Sequence, residues 1–108
     1  MKLIIAVVQN RDTEITIKAL NEAGFVVTRM ASTGGFLREG NTTLFIGTDN
    51  ECVDMAVDTL KKHCHSRTLV RPLPATGFES GVSLHHYAEV TVGGATVFIL
   101  DVDHFEQV

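Results

Sequence analysis

Residues 3–8 read Leu-Ile-Ile-Ala-Val-Val, and residues 96–100 read Thr-Val-Phe-Ile-Leu. A strand with one face in water alternates apolar and polar side chains. A near-continuous apolar run is the mark of a strand buried on both faces. Between these runs the chain alternates strand-like and helix-like patterns in the order β-α-β-β-α-β, the ferredoxin-like split arrangement. The predicted class is α+β: a sandwich of one antiparallel sheet with two helices on one side. Two helices cover only one face, so something else must cover the other. A further copy of the same chain is the economical answer, which predicts a homo-oligomer.

Working outward, residues 2–9 form the first strand. A helix is expected at 12–23, with Asp12 or Thr13 as N-cap and Gly24 past its C-terminal end. Strands follow at 25–32 and 42–47. Thr48 and Glu51 have the spacing of a capping box ahead of Val53, Ala56, Val57, Leu60 and Cys64, which share one helical face. Lys61, Lys62, His63 and His65 crowd the end of that helix, where the macrodipole favours positive charge. Three β-type runs come next, "TLVRPL", "HYAEVTV" and "ATVFIL", with the turn-rich segment 74–85 between the first two. Gly93-Gly94 is expected to be a tight hairpin or bulge.

The chain has 108 residues, which predicts a single domain over 1–108 with a modest core. It is 44% hydrophobic and 20% charged, values of a globular rather than a disordered chain. Its apolar runs are far shorter than the roughly 20 residues that cross a bilayer, so no membrane insertion is expected. The polar "QNRDTE" follows the first run too early for a signal-peptide cleavage site, which predicts a cytoplasmic protein. The net charge of −4 argues against a nucleic-acid backbone as partner. Cys52 and Cys64 lie about 18 Å apart if both are on the second helix, too far to bridge.

The segment 32–43, "STGGFLREGNTT", joins two strands. Gly34-Gly35 matches neither a Walker A sequence nor G-x-G-x-x-G. Phe36-Leu37 is an apolar pair in a polar loop, either a local core plug or one wall of an apolar site. A planar base would suit such a wall, because side chains stack on either of its faces. Asn41, Thr42 and Thr43 then read base edges or phosphate oxygens, or simply close the turn. His63 and His65 do not share a helical face, and His85 and His86 point to opposite sides of an extended chain. A metal site built from them requires two subunits, and none is expected. There is no G-x-S-x-G elbow, no H-E-x-x-H and no credible nucleophile–base pair, so no enzymatic activity is expected.

Three stretches, "MKLIIAVVQNRD" (1–12), "TGGFLREGNTT" (33–43) and "VGGATVFILDVDHF" (92–105), resemble the PII-like cyclic di-AMP receptor proteins. The resemblance runs through essentially the whole chain. It implies a ferredoxin-like subunit in a homotrimer, with the sheets packed toward the three-fold axis. It also implies a nucleotide site in each cleft between subunits, bordered by loops at about 33–41 and 67–86, and an unknown protein target that responds to them. By the resemblance, Phe36 and Leu37 wall the adenine pocket, and Gly35 lets backbone approach closely. Asn41 and Gly47 bond or approach the base, Thr28 lies near the phosphodiester, and Phe98 and Gln107 contact the second part of the ligand. Gly24 and Val26 depart from the family pattern, which has Asn and Arg there. Loss of that Arg removes about 1.5–3 kcal/mol, the scale of a hydrogen bond to a charged group. Arg29 and Arg38 are the candidate replacement donors. Arg29, three residues beyond Val26, is expected on the opposite side of the strand.

Overall fold

The computed structural model describes residues 1–31, 40–72 and 87–108. Its elements run β1 (Lys2–Gln9), α1 (Asn10–Glu22), β2 (Val27–Ala31), β3 (Asn41–Thr48), α2 (Val53–Cys64), β4 (Arg67–Pro72), β5 (Tyr87–Val92) and β6 (Ala95–Asp101). Four strands form one antiparallel sheet in the order β2-β3-β1-β6. With β6 taken as the fourth strand, this is the ferredoxin-like order, so the predicted class holds.

The β1 run splits by parity. The β6 run, at the sheet edge, is largely exposed in one chain, with Ile99 open on the helix side and Phe98 and Leu100 on the other. Ile4, Ala6 and Val8 of β1, with Leu44 and Ile46 of β3, point to the helices and are buried. Leu20, Phe25, Ala56, Leu60 and Cys64 complete that core. Leu3, Ile5 and Val7 point the other way and are only half-buried. Register places Phe45, Phe98 and Leu100 on this second face, where Phe98 and Leu100 are exposed. Within one chain, then, the second face of the sheet is apolar and largely open.

The connections differ from expectation in three places. First, α1 begins at Asn10, and no side chain caps it. Asp12 and Thr13 are buried in its first turn. Asp12 accepts from both Nη atoms of Arg67, at 2.7 and 3.4 Å, and the Thr13 hydroxyl donates to the Gln9 carbonyl. A partner on β4 thus takes the carboxylate that sequence assigned to the cap. The far end follows expectation. Gly24 has φ +96°, its N–H bonds the Asn21 carbonyl, and the Phe25 N–H bonds the Leu20 carbonyl. That bond pair is a Schellman motif.

Second, the Thr48/Glu51 capping box does not form. A 3-10 turn (Asn50–Cys52) precedes α2, and the Thr48 hydroxyl donates to the Asp49 carbonyl at 3.4 Å instead. The helix keeps its predicted apolar face, with Ala56, Leu60 and Cys64 buried. Third, Gly93-Gly94 is not a hairpin. β5 pairs only with β4, in a separate two-stranded arm, and β6 pairs with β1. The two glycines, at φ +81° and +88°, carry the chain from the arm into the sheet. The root of this arm is tied down by Arg67 to Asp12, by the Gly93 N–H to Gln9 Oε1 at 2.8 Å, and by the Gly94 N–H to the Cys64 carbonyl.

Candidate functional site

Two clefts open on the apolar face of the sheet, at its opposite ends. The first, of about 500 Å³, lies at the start of β1 and the end of β3. Leu3 and Phe45 form its floor, and Val26 and Phe105 are exposed along its sides. Thr28, Gly47 and Gln107 also line it. Strand register explains the grouping: Thr28 pairs with Phe45, and Leu3 pairs with Gly47, so all four share one face. A Cβ at Gly47 would come into ordinary contact with Met1 Cε, at 3.6 Å.

The second cleft, of about 340 Å³, lies where β1 ends and β3 and β6 begin, and its lining is mainly polar. Gln9, Asn41, Thr96 and the Gly93-Gly94 backbone line it, with Val7. Gln9 and Asn41 are register partners and so stand side by side. Its rim is anchored to α1: the Asn10 N–H bonds the Gly40 carbonyl at 3.0 Å, and the Thr42 hydroxyl donates to Asn10 Oδ1 at 2.7 Å.

The structure therefore brings Thr28, Gly47 and Gln107 together, with Val26 beside them, and sets Asn41 apart. Asn41 and Gly47 are six positions apart on one strand, roughly 20 Å at the usual rise. Phe98, opposite Ile5, lies on the same face between the clefts. Arg29 is on the other face, where its Nη1 donates to Glu14 Oε1 of α1 at 2.6 Å. That hydrogen bond raises the Arg29 pKa and lowers the Glu14 pKa, with their mutual charge adding to both. The guanidinium is thus committed away from both clefts. Gly35, Phe36, Leu37 and Arg38 lie outside the described residues, as do His85 and His86.

The full chain, residues 1–108, matches the family model described as cyclic-di-AMP receptor. This chain belongs to the cyclic-di-AMP receptor family. It is also similar to a crystal structure of a protein of unknown function from Pediococcus pentosaceus. Sequence identity is 36% and the TM-score 0.80, covering 99% of this chain and 96% of that one.

For a cyclic-di-AMP receptor, the departure at position 24 has a local explanation. Gly24 occupies the left-handed position that ends α1, and Asn is the other residue that tolerates it. Val26 differs: it is 81% exposed and lines the first cleft. Sequence reasoning missed Gln9, Thr96 and Phe105. Gln9 is the polar end of an apolar strand, and only its pairing with Asn41, distant in the chain, marks it. Among the described residues, no group of three or more His, Cys, Asp or Glu could hold a metal ion. Among the same residues, no helix is long and apolar enough to cross a membrane.

Proposed function

We propose that this protein binds cyclic di-AMP between the subunits of a homotrimer and relays occupancy to a protein target. The observation that carries the proposal is the division of the family's ligand residues between two clefts at opposite ends of one open apolar face. One subunit then offers half a site at each end. In a closed ring built from a repeated head-to-tail contact, one end of each subunit meets the opposite end of the next. Asn41 of one subunit thereby joins Thr28, Gly47 and Gln107 of its neighbour. Phe36 and Leu37 wall the adenine, Gly35 gives close backbone approach, and Phe98 and Gln107 hold the second half of the ligand. The same packing buries Phe98 and Leu100, which one chain leaves exposed.

Binding changes the surface that borders the clefts, and that changed surface engages or releases the target. The protein is a cytoplasmic, non-catalytic receptor, and its two free cysteines are in keeping with a reducing compartment. A second reading is favoured by Val26. Among the described residues lining either cleft there is no arginine, so the trimer binds another adenine nucleotide, or none. Titration calorimetry with cyclic di-AMP, ATP, ADP and AMP separates the two. The first reading requires cyclic di-AMP to bind with one site per subunit, on a protein that sediments as a trimer. A flat titration with all four nucleotides, or a monomeric protein, sinks it.

A further inference from the structure

The second cleft contains a residue that the family resemblance did not supply. Gln9 presents its carboxamide there with one end already fixed: Oε1 accepts the Gly93 N–H at 2.8 Å. A flipped amide would set an NH2 donor against an N–H donor, so this orientation is determined by the bond itself. The two Nε2 hydrogens remain to serve another acceptor. Beside them stands the Asn41 carboxamide, by direct register.

The chemistry of the lining selects the ligand group. A phosphodiester is best held by guanidinium or ammonium donors. The described lining residues of this cleft are uncharged: Val7, Gln9, Asn41, Thr96 and small backbone positions. Carboxamides match the mixed donor–acceptor edge of adenine, which Asn and Gln read in pairs of bonds. A volume of about 340 Å³ is at the small end of ligand pockets, suited to one base rather than a whole dinucleotide.

We propose that Gln9, held by Gly93, reads adenine in the second cleft: Nε2 donates to a ring nitrogen on the base edge, beside Asn41. This rests on the clefts being halves of a cyclic di-AMP site. Because the rotamer is fixed before the ligand arrives, little side-chain freedom is lost on binding. The same amide joins the base to the root of the β4–β5 arm, so occupancy of the cleft bears directly on Gly93.

The test compares wild type, Gln9→Glu and Gln9→Met by calorimetry with cyclic di-AMP, in about 50 mM and about 500 mM salt. Glutamate keeps an acceptor for the Gly93 N–H and lacks the amide donors; methionine lacks both. Both variants are expected to bind about two- to tenfold more weakly at either salt concentration, the scale of one lost neutral hydrogen bond. Hydrogen exchange at the Gly93 amide should remain slow in Gln9→Glu and accelerate in Gln9→Met. Wild-type affinity in Gln9→Glu overturns the proposal, since Gln9 then only holds Gly93. A loss that disappears in high salt also overturns it, because distant charge repulsion would account for the effect. If wild type itself gives no heat with cyclic di-AMP, the receptor reading falls and this inference with it.

Discussion

Gly24 and Gly93 have the same backbone handedness in different surroundings, which lets strain and crowding be measured separately. Gly24 has φ +96°, and a Cβ built there meets nothing within 4 Å. Alanine at this position should cost only the left-handed penalty, about 1–2 kcal/mol. Gly93 has φ +81°, and its Cβ would run into the His65 carbonyl oxygen and Arg67 Nη1. Crowding of that kind adds about 1–3 kcal/mol, so Gly93→Ala should cost about 2–5 kcal/mol in all. A side-chain tip could swing away cheaply, but the His65 obstacle is backbone, at the hinge between α2 and the arm. Urea unfolding at one fixed protomer concentration checks both values, since oligomer stability depends on concentration. At about 4 °C per kcal/mol, thermal midpoints should separate the variants clearly. Equal losses from the two substitutions, or a smaller loss at Gly93, would refute the described packing of the arm root.

Val26→Arg places a charged donor at the exposed side of the first cleft. It should tighten cyclic di-AMP about tenfold or more by calorimetry while leaving the melting temperature of the free protein nearly unchanged. Cys64 is buried against Thr16, and burial raises its pKa above the usual thiol value. In a thiol-labelling time course at mild alkaline pH, Cys52 should react first and Cys64 only on unfolding. The raised pKa makes the stability from Cys64 complete below the thiol's unfolded pKa and progressively lost as pH rises past it. The Glu14 and Asp101 carboxyls have lowered pKa values through hydrogen bonds from Arg29 and Lys2. Their contribution is present above the unfolded carboxyl pKa and is lost as acid protonates them, so pH-dependent melting should fall on the acid side. Leu100→Asp, on the open face of the sheet, should yield smaller species in sedimentation velocity with the secondary structure intact; an unchanged trimer would show that face is not the interface.

Much of the scaffold was legible because its signals are local. The doubly apolar runs marked β1 and β6, but with both parities apolar, which face of β1 meets the helices was settled only by their packing. The period of Ala56, Leu60 and Cys64 marked α2. What escaped depends on partners far away in the chain. Asp12 resembled a cap because its Arg67 partner is 55 residues on. The β4 and β5 runs resembled sheet strands because propensity does not say which strand a strand pairs with. Gly93-Gly94 was correctly seen as a place of unusual backbone but was assigned to the wrong connection. At the candidate site, Asn41 and Gly47 lie close in sequence, yet an extended strand converts that closeness into distance. The placement of Arg29 opposite Val26 was readable from alternation alone, whereas its engagement with Glu14 required the packing of α1 on the sheet.

The insertion of the arm between α2 and β6 also affects how the chain reaches its fold. β1 is an interior strand, yet one of its edges is closed by β6, with Lys2 paired to Asp101 across 99 residues. Until residues 95–101 are made and docked, β1 and β3 can pair while the other edge of β1 presents unpaired amides and a fully apolar sequence. That intermediate resembles the edge strands that invite aggregation. Closing so long a loop is slow, because its entropy is lost before the contacts form. The tethers at Gln9, Asp12 and Cys64 shorten the effective loop by fixing the arm root beside the end of β1. In the folded chain the arm root thus leaves β6 starting beside the end of β1, the strand it pairs with.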